Sequence, residues 1–173
     1  MPENRRLFVT CDGACRKGVG AYGFMVQEEG HFSRLCAGSG ALPEEPTTNQ
    51  RAELYAAIMA LECVAEDFPE RAVTLVSDSA YLINCFKERW FIRWLENDWQ
   101  TPDGPVKNRD LWERLFAVVG ALNGRREPVN LVLQTIEWEH VRGHQGHPAN
   151  EECDAAATRT IDVIFQMRDM MQT

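Results

Sequence analysis

Four acidic residues stand where an α/β protein builds chemistry. Asp12 closes the apolar run Leu7–Asp12, and Asp78 follows the apolar run Ala72–Ser77. Glu53 and Asp154 each lie about one turn inside a helical pattern. Strand C-termini and helix N-termini are the edges on which α/β sheets assemble their sites. Carboxylates drawn together there repel and raise one another's pKa values unless cations neutralise them. Hard oxygen donors favour Mg²⁺ or Mn²⁺. Two such ions can activate a water, clamp a phosphate and stabilise a leaving oxygen, so phosphodiester hydrolysis is the chemistry that fits. Each acid also has a plainer reading. Asp12 and Asp78 suit turns, and Glu53 and Asp154 suit the positive end of a helix dipole. Position alone leaves both readings open.

The elements that must position these acids follow from periodicity. Leu7–Asp12 reads as a central strand, apolar on both faces. A glycine-rich turn follows from Cys11 to Gly20, then strands over Ala21–Gln27 and Phe32–Ser39, so three successive strands imply an antiparallel meander. Gly40–Thr48 reads as a loop. Leu54, Ile58, Leu61 and Ala65 predict a helix over Asn49–Phe68, capped by Thr48 or Asn49 and stopped by Pro69. Ala72–Ser77 predicts a strand paired in parallel through a crossover. Ser79–Leu95 reads as helical with a break near Lys87, Thr101–Pro105 as a loop, and Asn108–Leu122 as a helix. Asn123–Pro128 reads as a turn, Val129–Val141 contains a long strand, and Arg142–Pro148 is a loop before a last helix over Ala149–Met170. The order β-β-β-α-β-α-α-β-α predicts an α/β fold, with a mixed five-stranded sheet flanked by helices.

The 173 residues suit one domain able to bury its own core. No run of 18 apolar residues is present, so no membrane span is expected, and the polar start Met1-Pro-Glu-Asn-Arg-Arg lacks the apolar stretch of a secretory signal. A cytoplasmic protein is expected, with its six cysteines as free thiols. The formal net charge of −8 argues against a nucleic-acid partner when taken alone. Its distribution softens the objection: residues 28–70 hold nine acids and two bases, whereas residues 84–114 hold six of each.

Five motifs then occur in order. They are Cys11-Asp-Gly-Ala-Cys with Ala21-Tyr-Gly; Thr47-Thr-Asn-Gln-Arg-Ala-Glu-Leu; Ser77-Asp-Ser-Ala-Tyr; Pro105-Val-Lys-Asn-Arg-Asp-Leu-Trp; and Val141-Arg-Gly-His-Gln-Gly-His-Pro-Ala-Asn-Glu-Glu-Cys-Asp. Together they resemble the type 1 ribonuclease H family, most of all its bacterial branch, from about Leu7 to Thr160. The resemblance implies a ribonuclease H-like fold in a single domain over residues 1–173, with a core of about 7–160 and a C-terminal helix extension. It implies an endonuclease that cleaves the RNA strand of RNA–DNA hybrids, leaving 5′-phosphate and 3′-hydroxyl ends, and a monomer is expected. Two Mg²⁺ ions, replaceable by Mn²⁺, would be held by Asp12, Glu53, Asp78 and Asp154. His144 would assist the attacking water or release of the product phosphate, a role suited to a near-neutral pKa. The alternative is a hybrid-binding module of the same fold that has lost catalysis, but all four acids are present.

The resemblance also implies substrate contacts. Thr48 would touch a DNA phosphate, and Asn49 and Gln50 the minor groove, where an A-like hybrid displays 2′-hydroxyls. Trp90, Trp94 and Trp99 with Phe91 resemble an aromatic handle over the DNA strand, although Trp90 and Trp94 also suit packing at their four-residue spacing. Two departures stand out. Leu95-Glu-Asn-Asp occupies the place of the family's basic cluster, leaving Lys87, Arg89, Arg93 and Lys107 as candidate phosphate contacts. The first glycine-rich turn is shorter than usual and lacks its asparagine, for which Arg16 or Lys17 would substitute. Two decoys fail. Gly18-Val-Gly-Ala-Tyr-Gly matches a dinucleotide-binding pattern but opens a strand rather than a helix. Cys11, Cys15, His140 and His144 fit no standard zinc spacing.

Overall fold

The computed structural model describes residues 5–31, 33–122, 136–143 and 146–172. Strands β1 (Leu7–Arg16), β2 (Val19–Glu28) and β3 (Arg34–Ala41) form the antiparallel meander. Helix α1 (Asn49–Asp67) leads to β4 (Val73–Ser77), which pairs in parallel with β1. Helices α2 (Ala80–Lys87) and α3 (Trp90–Glu96), a two-residue pair β5 (Gln100–Thr101) and β6 (Gly104–Pro105), and α4 (Arg109–Leu122) follow. Strand β7 (Ile136–His140) then pairs in parallel with β4, and α5 (Pro148–Met171) ends the fold. The main sheet runs β3-β2-β1-β4-β7, so the mixed five-stranded sheet is as expected.

Two expectations need correction, and a third lies partly outside the described residues. Strand β1 does not end at Asp12 but continues to Arg16. Its antiparallel register with β2 persists to Arg16↔Val19 and closes on Lys17-Gly18, both with positive φ (52° and 82°). That is the backbone of a two-residue hairpin turn, so small and polar residues stay in strand without apolar alternation. The segment read as a loop at Thr101–Pro105 carries the β5–β6 hairpin. The long strand expected within Val129–Val141 is described only over Ile136–His140; residues 123–135, including the insertion around Gly124–Leu131, lie outside the described residues.

Local chemistry explains the helices that matter for the site. Thr48 caps α1 by accepting from Arg51 N at 3.3 Å, and small residues such as Ala52, Ala56, Ala57 and Ala60 let the helix lie close on the sheet. Ser79 caps α2 in the same way through Leu82 N. The break expected near Lys87 falls at Glu88-Arg89, where Arg89 takes a positive φ of 56°. The main core includes Leu7, Val9, Leu54, Ile58, Leu75, Phe86 and Trp112, and a smaller cluster joins Val19 and Ala21 to Ala157 and Ile161 of α5. Helices α1 and α5 thus seal β1 and β2 against water.

Candidate active site

Asp12 sits at a topological boundary. Strand β1 pairs on one side with β2 along its whole length, but on the other side β4 accompanies it only to Thr10↔Val76. Beyond Thr10 the edge of β1 is left without a strand, and β4 ends at Ser77, one residue before Asp78. The two aspartates therefore flank the crevice where parallel strands stop.

Two glycines bring the helices to that crevice. A Cβ on Gly13 would lie 2.1 Å from the backbone carbon of Ala52, so only glycine lets the first turn of α1 abut β1 and carry Glu53 beside Asp12. A Cβ on Gly23, the cross-strand partner of Asp12, would lie 2.4 Å from the carbonyl oxygen of Cys153. That close approach seats α5 and positions Asp154. Gly143 likewise passes so near Asp78 that a Cβ would lie 2.3 Å from Oδ2. The result is one open pocket lined by Asp12, Gly13, Ala14, Cys15, Asn49, Glu53, Asp78 and Asp154.

The electrostatics of this pocket are those of an uncompensated acidic cluster, since no basic residue lines it among the described residues. Burial, followed by Asp78 and Asp154, pushes the Asp12 carboxyl up to about 8, against the pull of the Gly13 N–H at 2.7 Å. Burial also raises Glu53, with Asp78 adding to it, while the Ser79 hydroxyl opposes the rise by donating to Oε2 at 2.5 Å. Divalent cations would relieve this repulsion, and the all-oxygen donors suit a hard ion.

The profile of the RNase H family matches residues 4–162. The chain belongs to the ribonuclease H family. It is 41% identical over 159 residues to ribonuclease H of Alkalilimnicola ehrlichii, covering 90% of this chain and 94% of that one. It is 39% identical over 167 residues to ribonuclease H of Dechloromonas aromatica, covering 95% and 99%. Among solved structures, LC11-RNase H1 in complex with an RNA/DNA hybrid shares the fold, with a TM-score of 0.60 at 20% identity over 90% of this chain and 99% of that one.

The residues suggested for substrate divide into two groups within this ribonuclease H fold. Thr48, Asn49 and Gln50 are exposed at the start of α1. Asn49 lines the acidic pocket, while Gln50 lines a neighbouring groove with Tyr81, Trp90, Trp94 and Lys107. These residues therefore share one edge of the molecule with the acids. Arg16 and Lys17 face elsewhere. Arg16 pairs with Asp162 at 2.5 Å, and both cations lie over the Phe165 ring. Trp94 and Trp99 are buried in an aromatic cluster with Trp112 and Phe116, so both side chains serve packing. Trp90 is half-buried and donates to Glu88 Oε2. Its neighbour Arg89 is exposed, as are Lys87 and Arg93. His144 lies outside the described residues.

Sequence reasoning missed several supporting groups. Asn150 is buried and donates through Nδ2 to Asp12 Oδ2 at 3.3 Å, and its Oδ1 has no partner among the described residues. Its place four residues before Asp154, on the same helix face, was the available signal. Ser79, read only as the start of a helical stretch, caps α2 and also holds Glu53. His147 caps α5 by accepting from Asn150 N at 3.2 Å, and His140 contacts the Asp78 carbonyl oxygen at 3.1 Å.

Proposed function

We propose that this ribonuclease H is an endonuclease that hydrolyses the RNA strand of RNA–DNA hybrids at the pocket of Asp12, Glu53, Asp78 and Asp154, leaving 5′-phosphate and 3′-hydroxyl ends. The observation that carries the reading is the convergence of these four carboxylates, from β1, α1, α5 and the turn after β4, in one water-facing pocket without a base among its described lining residues. The raised Asp12 and Glu53 mark a site whose charge calls for cations. Asp12 and Asp78 would serve both of two Mg²⁺ ions, for which Mn²⁺ can substitute, with Glu53 on one ion and Asp154 on the other. When bound, the ions supply water activation and charge neutralisation at the scissile phosphate.

The chain's own residues do the rest. Ser79 orients Glu53, and the Asn150 amide with the Gly13 N–H orients Asp12. Thr48, Asn49 and Gln50 present short polar groups and the N-terminal end of α1 to the backbone of the hybrid. Trp90 and Lys107 extend that contact along the DNA strand from the neighbouring groove. Arg16 and Lys17 would add a phosphate contact only by leaving Phe165, and Arg16 also by leaving Asp162. His144 is proposed to handle the proton of the attacking water or the departing product. The six free thiols fit a reducing compartment, and the reading is of a cytoplasmic monomer. No helix among the described residues is long and apolar enough to cross a membrane.

The test is a gel assay of end-labelled RNA–DNA hybrid beside matched double-stranded RNA and DNA, with Mg²⁺ or with chelator. Cleavage confined to the RNA of the hybrid, and lost in chelator, is expected. Binding without cutting would replace the enzyme reading with that of a binding module.

A further inference from the structure

Away from the four carboxylates, Cys36 of β3 meets Cys63 and Asp67 of α1. One ligand atom from each, two sulfurs and a carboxylate oxygen, lie within 4.8 Å of one another. Cys63 and Asp67 are four residues apart on one helix face, a spacing that lets a helix offer two ligands to one ion. The Cys63 thiol donates to Asp67 Oδ2 at 3.7 Å. In a tetrahedral zinc site, with Zn–S of about 2.3 Å and Zn–O of about 2.1 Å, adjacent sulfur and oxygen ligands stand about 3.6 Å apart. The helix pair already has that separation. Both cysteines are half-buried and Asp67 is exposed, so the cluster is anchored in the fold yet reachable from solvent. Ten residues separate Cys63 from Glu53 along α1, which is about 15 Å of helix.

We propose that Cys36, Cys63 and Asp67 form a second cation site, distinct from the acidic pocket, that takes a thiophilic divalent ion such as Zn²⁺ with water completing its coordination. Two thiolates select a soft or borderline ion, whereas the four carboxylates of the acidic pocket select a hard one, so the two sites discriminate between metals by ligand chemistry. Burial, the Cys36 thiol and Asp67 together push Cys63 up to about 12. Metal binding there releases thiol protons and tightens as pH rises. An ion in this place ties the last turn of α1 to β3, an edge strand of the sheet. It holds the meander to the helix that carries Glu53 without touching the phosphodiester.

The experiment is a Cd²⁺ titration of the full chain, stripped of metal and kept reduced, followed by thiolate-to-metal charge-transfer absorption in the ultraviolet. One equivalent should saturate the band, Zn²⁺ should abolish it by competition, and excess Mg²⁺ should leave it in place. Cys36→Ser and Cys63→Ser should each remove at least half of the band and weaken Cd²⁺ binding at least tenfold. Asp67→Asn, an exposed change that leaves the core untouched, should weaken binding several-fold, and Cys15→Ser should have no effect on the band. A band that is absent, that survives both Cys36→Ser and Cys63→Ser, or that depends on Cys15 instead overturns the proposal. So does a Cys36–Cys63 disulfide that persists in reductant.

Discussion

Asp12→Asn is expected to stabilise the metal-free protein by an amount that depends on pH. In the fold the Asp12 carboxyl is pushed up to about 8, first by burial and then by Asp78 and Asp154. In the unfolded chain an aspartate titrates near ~3.9. Between those values the folded state keeps a proton that the unfolded chain has released, so stability falls as pH rises through the window and levels off above pH ~8. At about 1.4 kcal/mol per pH unit the full shift amounts to ~5–6 kcal/mol, an upper bound because the pocket is open to water, and about 2–4 kcal/mol is the expected penalty. Asparagine removes the charge and keeps the shape. Its oxygen still accepts from Gly13 N, and a flipped Asn150 turns its Oδ1, without a partner among the described residues, toward the new amide. For a domain of this size the gain corresponds to a melting temperature higher by about 5–15 °C at pH ~8.5, shrinking towards zero at pH ~4. Thermal melts in chelator at both pH values, followed by far-ultraviolet circular dichroism, measure it. Excess Mg²⁺ should narrow the gap by stabilising the parent. No gain at the higher pH, or an equal gain at both, refutes the charge-crowding argument.

Three further outcomes follow from the same geometry. Asp78→Asn should reduce hybrid cleavage by about 10³-fold or more while leaving the fold intact, as single-turnover assays and circular dichroism would show; wild-type rates would remove Asp78 from the chemistry. Gly13→Ala should destabilise the fold by about 1–3 kcal/mol or more, because its Cβ must displace the backbone of α1 at Ala52, and urea unfolding would measure the change. A neutral result would mean that α1 is not seated by this contact. Glu96→Lys should tighten hybrid binding and steepen its salt dependence by about one phosphate contact, read from log Kd against log salt. Asp98 is the poorer place for a lysine, since its φ of 48° suits aspartate better. An unchanged slope would show that the end of α3 does not approach the nucleic acid.

The candidate site of this protein was legible in its sequence because it is written in residue types at fixed places along local elements. Acids after apolar runs and inside helix starts made Asp12, Glu53, Asp78 and Asp154 candidates, the resemblance of the five motifs singled them out, and the period of Leu54, Ile58 and Leu61 located α1. The turn around Cys11–Gly20 was misread because register with a partner strand, not local alternation, keeps β1 extended to Arg16. The destination of Arg16 was equally invisible, since Asp162 lies far along the chain and meets it only when α5 crosses the meander. The same holds for the hydrogen bonds of Ser79 to Glu53 and Asn150 to Asp12. The sequence alone determined which acids are the candidates and which elements they lie on or beside. Only the tertiary structure decided how those elements meet: the Cβ-free surfaces of Gly13 and Gly23 admit α1 to β1 and α5 to β2, and β4 stops where Asp12 needs open space. Contact between distant segments is a property of packing, and no local pattern encodes it.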